Sequence, residues 1–279
     1  MLKRTFVHLP GVGAATERNL WARGFHSWDD FCDPSKLPFS KKRADELTSC
    51  LIESARHLDE KNPAHFAGRL NSNMFWRFFP EFRNCLAYLD IETTGLGAYS
   101  DHITTAAVYD GKSIATYVHG KNLEELPEAL RAYKVLVTYN GSCFDIPFVE
   151  KFFGVTLDHV HIDLRYLLGS LGYKGGLKGC EKQLQIDRCE LEGVDGYFGV
   201  LLWDEYRKTG DPGAIETLLS YNVADTVNLE TLAVMAYNRK LAQTPFHEIC
   251  ALPLPCPPVN PFSPDARIIR EIRNRYYFV

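Results

Sequence analysis

The 279-residue chain is long enough for one sizeable core and a small accessory domain. Its 46% hydrophobic content is that of a globular protein. No apolar run approaches the ~20 residues a helix needs to span a bilayer, so no membrane-spanning helix is expected. The formal net charge is −4, and the shortage of basic residues across the middle of the chain argues against tight binding of long duplex nucleic acid.

The start of the chain, Met1 to Phe6, lacks the apolar stretch of a secretory leader. Eight cysteines are scattered along the sequence with no Cys-x-x-Cys. Cys180 and Cys189 are nine apart and Cys250 and Cys256 six apart, spacings that do not suit a structural zinc. Scattered thiols of this kind fit a reducing, cytoplasmic location.

Residues 1–60 read as a small α-helical module. His8-Leu9-Pro10-Gly11-Val12-Gly13 is a short turn with two glycines, Ala14 to Trp21 a helix, and Gly24 to Phe31 a turn and second helix. This is similar to a helix-hairpin-helix element. Gly11 and Gly13 allow backbone angles that aim N–H groups outward. With the following helix N-terminus, and with Arg18 close by, they could cradle one phosphate of a nucleic acid. The alternative is a packing or protein-docking motif. Residues 1–43 hold eight Lys/Arg and four Asp/Glu, whereas residues 44–262 hold 19 and 29. Residues 61–84 form an aromatic linker that packs rather than floats.

Leu86 to Ile91 is an apolar strand broken by Asp90, and Glu92-Thr93-Thr94-Gly95 closes it. Side chains alternate along a strand, so Asp90 and Glu92 share a face. Two adjacent carboxylates suit hard cations such as Mg²⁺ and Mn²⁺. The alternative is a solvated strand end. Further strands are expected near 102–109, 112–118 and 134–139, with helices near 122–132, 146–153 and 213–237. Asn140-Gly141-Ser142 is turn chemistry. Asp145 follows it at a strand-to-helix junction, where ligands gather in α/β sheets. Its alternative role is a helix N-cap. Tyr221 and Asp225 lie four apart on one helical face. Asn222 and Asn228 are polar neighbours that also fit a solvated face. His161 and Asp163 are expected to settle a strand end near these residues.

Residues 241–279 read as a Pro-rich and basic extension. Residues 244–264 carry the prolines of an extended coil. Residues 263–279 carry four Arg and two acids, with Tyr276, Tyr277 and Phe278 at the end. That tail could stack on single strands or dock on the protein's own acidic surface.

The motifs and their order, Asp90-x-Glu92-Thr93-Thr94-Gly95-Leu96, Asn140-x-x-x-Phe144-Asp145 and Tyr221-x-x-x-Asp225, resemble the tyrosine-type DEDD superfamily of 3′–5′ exonucleases. The resemblance runs from about Cys85 to Tyr237. Within the superfamily the chain is similar to the YprB-like group on Gly176-Leu177-Lys178-Gly179-Cys180-Glu181 and on Tyr206 to Asp211. A His often stands in that group where this chain has Tyr221.

The resemblance implies an α/β fold, a ribonuclease-H-like mixed sheet flanked by helices, over residues 85–240. It implies that Asp90, Glu92, Asp145 and Asp225 hold two divalent cations, Mg²⁺ or Mn²⁺, about 4 Å apart. One would activate water and the other stabilise the leaving 3′ oxygen. Tyr221 would orient the water, with help from Glu92, since a phenol is a poor general base at neutral pH. Thr94, Gly95, Leu96 and Asn140 would meet the substrate, and Phe144 and Phe148 would belong to the core. The implied partner is the 3′ end of DNA or RNA, single-stranded or frayed. The competing readings are a non-catalytic nucleic-acid-binding scaffold and a two-metal phosphohydrolase acting on a small substrate. Intact carboxylates disfavour the first.

Overall fold

Leu86–Thr93 forms the central strand of a five-stranded sheet because its residues are buried on both faces, with only Asp90 half-buried. In this computed structural model, residues 1–96, 100–187, 191 and 193–276 are described. The chain divides into two compact units: Met1–Cys85 with Met235–Pro253, and Leu86–Val234 with Leu254–Val279.

The first unit contains α1 (Ala14–Ala22), α2 (Lys41–Asp59), α3 (Pro63–Ala67) and α4 (Phe79–Phe82). Glu17 of α1 is buried and paired with Arg77 at 2.9 Å. Its Oε1 accepts the main-chain N–H groups of Phe6 at 2.7 Å and Val7 at 3.2 Å, which fixes the loop before the helix. The expected second helix at Gly24–Phe31 is instead a single 3-10 stretch, Trp28–Cys32, behind a Ser27–Asp30 capping box. Trp28 and Phe31 are three apart and both buried, a spacing that suits three residues per turn. In the segment read as a linker, Phe66, Trp76, Phe78, Phe79 and Phe82 are all buried.

The second unit holds β1 (Leu86–Thr93), β2 (Ile103–Tyr109), β3 (Ile114–Val118), β4 (Val135–Thr138) and β5 (Val160–Asp163) in the order β3-β2-β1-β4-β5. β1, β2 and β3 are antiparallel neighbours, whereas β1, β4 and β5 run parallel. This is the mixed ribonuclease-H-like sheet expected from the motifs. The strand end expected at His161 and Asp163 is β5, whose four residues Val-His-Ile-Asp alternate in polarity and are too few to mark its full extent.

Around the sheet lie α5 (Leu126–Leu130), α6 (Asp145–Phe153), α7 (Leu164–Gly169), α8 (Gly176–Gln183), α9 (Gly196–Thr209) and α10 (Pro212–Leu241). The last residues of α10, from Met235, fall in the first unit, as does α11 (His247–Cys250). On one sheet face, Ala87, Leu89 and Ile91 pack with Leu126, Leu130 and Val149. A second core gathers Phe198, Leu202 and Trp203 of α9 with Leu218 and Tyr221 of α10.

The basic tail begins as α12 (Ala266–Tyr276). Ile268, Ile269 and Ile272 join the second core. Arg267 pairs with Asp211 at 2.7 Å and Arg275 with Glu205 at 2.5 Å. The tail therefore docks on acidic groups of its own unit. Tyr277 and Phe278 lie outside the described residues, as does Cys189. Among the described residues, no helix is long and apolar enough to cross a membrane.

Candidate active site

The acidic half of β1 is exposed to a cavity by the register of the sheet. β4 pairs with β1 only from Leu86 to Tyr88, so Asp90 and Glu92 run past the last paired residue. On the other side, the register with β2 shifts between Glu92 and Thr93, which ends the strand at the motif. The resulting cavity, about 930 Å³, is lined by residues of all three motifs.

Asp90, Glu92 and Asp225 converge there, with one carboxylate oxygen from each lying within 4.8 Å of the others. Asp90 comes from β1 and faces α10, where the Asn222 amide donates to its main-chain carbonyl at 3.1 Å and to its Oδ2 at 2.7 Å. Glu92 faces α9. A Cβ added to Gly199 would stand 2.9 Å from Glu92 Oε2, so a larger residue there would displace the Glu92 carboxylate. Asp225 is buried and is bound by Lys178, whose Nζ donates to Oδ1 at 2.7 Å and Oδ2 at 2.6 Å.

Asp145 lines the same cavity from the start of α6. It is not one of the three converging carboxylates. Its Oδ1 accepts the Ile91 N–H at 3.1 Å, which ties the helix start to β1. Tyr221, one turn before Asp225, is buried and also lines the cavity.

Burial and like charge dominate the electrostatics. Burial, then the neighbouring Glu92, Asp225 and Asp145, push Asp90 well above the usual carboxylate range, with Lys178 giving partial relief. Burial pushes Asp145 up to about 7, against hydrogen bonds from Ile91 and from its own main-chain N–H. Such a cluster is costly unless a cation neutralises it. The donor set is all carboxylate, without thiolate or imidazole, and fits a hard divalent cation such as Mg²⁺ or Mn²⁺.

Thr94, Gly95, Leu96 and Asn140 all line the cavity. Leu96 is 94% exposed, an apolar side chain held out at the cavity edge. Asn140 adopts the left-handed conformation, φ 67°, that its turn requires. Asp163 holds that turn by accepting the N–H groups of Asn140 at 2.8 Å and Ser142 at 3.0 Å. His161 bonds Thr138 at 2.8 Å. Both residues thus settle the strand ends beside the site. Phe144 lines the cavity while also packing, with Phe148, against the sheet core.

Gly11, Gly13 and Arg18 lie in the first unit. Gly11 has φ +65°, and a Cβ there would meet Arg43 at 2.8 Å; Arg43 in turn bonds the Pro10 carbonyl. Gly13 caps α1, and Arg18 is exposed.

Sequence reasoning gave no role to three residues of the site. Lys178 sat in a segment noted only for its resemblance. Asn222 was read as a candidate solvated residue, yet it is fully buried. Its position three residues before Asp225, and so on the motif's own helix turn, was the available signal. Arg165, which lines the cavity and bonds the Asn140 side chain, belongs to no motif.

A family model described as the RNase_H superfamily matches residues 87–237, just over half of the chain. No curated protein sequence matches. Among solved structures, the family B DNA polymerase of the hyperthermophilic archaeon Pyrobaculum calidifontis is similar at 17% identity and a TM-score of 0.42, over 61% of this chain and 26% of the polymerase. A nuclease in its apo form is similar at 19% identity and a TM-score of 0.40, over 57% of this chain and 73% of that one. The chain thus spans about a quarter of the polymerase's length.

Proposed function

The chain belongs to the ribonuclease H superfamily, and from that premise we propose that it is a metal-dependent exonuclease of the tyrosine-type DEDD class, close to the YprB-like group, that removes mononucleotides from the 3′ end of single-stranded or frayed nucleic acid. The observation that carries this reading is the convergence of Asp90, Glu92 and Asp225, with Asp145 and Tyr221, on one cavity at the end of the central strand.

Asp90, Glu92 and Asp225, together with Asp145, would hold the cations. Bound there, divalent cations supply charge neutralisation at the scissile phosphate and acidify the attacking water. The chain's own groups do the rest. Asn222 holds Asp90 in one orientation, so the ligand set is ordered before substrate arrives. The Tyr221 hydroxyl orients the water for attack, with Glu92 accepting a hydrogen bond from it. The main chain at Thr94 and Gly95, with the Asn140 side chain, positions the terminal nucleotide. Leu96 packs against its base, and the Arg165 guanidinium at the cavity wall offsets phosphate charge.

The basic first unit supplies a second contact to nucleic acid through Gly11, Gly13 and Arg18. Product analysis tests the reaction class. An exonuclease releases mononucleotides from an oligomer, whereas release of inorganic phosphate, or retardation without shortening, would overturn the proposal.

A further inference from the structure

Lys178 binds Asp225 through both of its carboxylate oxygens. Its Nζ donates to both carboxylate oxygens, at 2.7 and 2.6 Å, and lies 4.2 Å from the centroid of the Tyr221 ring. The ammonium is thereby held between a carboxylate and an aromatic face, both of which attract a cation.

The helix that carries it is fixed on α10. Glu181 is three residues further along α8 and so on the same side as Lys178. It is buried and accepts the Asn228 amide of α10 at 2.8 Å. Cys180 is buried beside it. A Cβ on Gly179 would come 2.8 Å from the Lys174 carbonyl, so the helix and the loop before it are in close contact. Asn228 and Asp225 are likewise three residues apart on α10. Two matched pairs, Lys178–Asp225 and Glu181–Asn228, therefore set the register of one helix against the other.

We propose that Lys178 is a built-in counter-cation of the carboxylate cluster, which competes with a divalent cation for Asp225 and so sets the concentration at which the site loads. This inference rests on the metal-dependent reading above. Without a divalent cation, the ammonium keeps Asp225 beside Asp90 and Glu92 despite their mutual repulsion. When a divalent cation takes Asp225, the same oxygens serve two cations, and the lysine bond must loosen. Lys178 acts on the reaction through Asp225 and is a positioning residue.

Titration calorimetry with Mn²⁺ on the full chain tests this directly, with Lys178→Met removing the charge at similar length and Lys178→Arg keeping it. The expected result is Mn²⁺ binding roughly tenfold tighter in Lys178→Met, the factor that no longer breaking one charged hydrogen bond corresponds to, and near-parental binding in Lys178→Arg. Equal or weaker binding in a folded Lys178→Met protein would overturn the inference while leaving the metal reading intact. If neither parent nor variant takes up Mn²⁺, both fall together. The unmodified protein gives a second readout that needs no variant. Acetylation of Lys178 by acetic anhydride, followed by peptide mass spectrometry, should be faster with Mn²⁺ than with EDTA, and an equal rate would contradict the release of the ammonium.

Discussion

Asn222 grips Asp90 twice, through its main-chain carbonyl at 3.1 Å and its carboxylate Oδ2 at 2.7 Å. The amide is fully buried, and its own Oδ1 has no hydrogen-bond partner among the described residues. Its orientation is thus set by its donors. Asn222→Ala should leave Asp90 without this support and weaken Mn²⁺ binding by roughly tenfold or more, measured by calorimetry on a protein whose circular dichroism is unchanged. Parental affinity would show that the strand alone orients Asp90.

Asp225 is the proposed ligand that α10 brings to the cluster. Asp225→Asn keeps the shape of the side chain and removes its charge. The substitution should nearly abolish hydrolysis of an oligonucleotide while the secondary structure is retained. Full turnover in the variant would remove Asp225 from the proposed ligand set.

Tyr221 is buried at the cavity wall one turn from Asp225. Its proposed role needs the hydroxyl and not the ring. Tyr221→Phe should lower kcat by roughly the 10²-fold that misplacing a reacting group costs, with little change in Mn²⁺ affinity. Unchanged kcat would make the tyrosine a packing residue.

The first unit carries a separate pH signature. Burial, aided by His65, Arg69 and Arg77, pushes His8 down to about 3, and burial with Arg69 pushes His65 down to about 4. A histidine whose folded pKa lies below its unfolded value of about 6.5 contributes stability above pH 6.5. That contribution is lost as pH falls through 6.5 toward the folded value. Asp145, pushed up to about 7, acts in the opposite sense, because its raised pKa favours folding at lower pH. The difference between the parent and His8→Gln isolates the first effect. In urea unfolding, the stability of the parent relative to the variant should fall by roughly 3 kcal/mol between pH 7 and pH 4. A constant difference would contradict a buried neutral His8.

Much of this was legible in the sequence, for a local reason. Asp90 and Glu92 interrupt an apolar run, Asp145 follows a turn, and Tyr221 and Asp225 sit four apart on a helix, so each motif announces itself within a few residues. The mixed sheet flanked by helices followed from the motifs' resemblance. What was not legible is carried by contacts between distant segments. Lys178 and Asp225 are 47 residues apart, and Asn222 and Asp90 132 apart. Nothing in either segment alone specifies the pairing. The same holds for the folding of Met235–Pro253 with Met1–Cys85. Docking of the basic tail on the protein's own acidic groups is one of the two readings that its sequence leaves open. There the residues were read correctly as basic, and only the burial of Ile268, Ile269 and Ile272 shows which face does the work.

Arg18 is exposed at the start of the first unit, as is Lys42. If this unit holds nucleic acid, Arg18→Glu with Lys42→Glu should weaken binding of a long oligonucleotide and reduce its salt dependence. Cleavage of a short single strand should continue. Unchanged affinity in filter binding would favour the protein-docking interpretation of the module.

The central claim is a cation-dependent exonuclease centred on Asp90, and a gel assay of a 5′-labelled single-stranded oligonucleotide tests it most directly. The substrate is supplied as DNA and as RNA, with Mn²⁺, Mg²⁺ or EDTA, for the parent and for Asp90→Asn. The expected result is a ladder descending from the 3′ end on at least one substrate, present with cation and absent with EDTA and in the variant. No shortening of either substrate with any cation, or an equal ladder from Asp90→Asn, would contradict it.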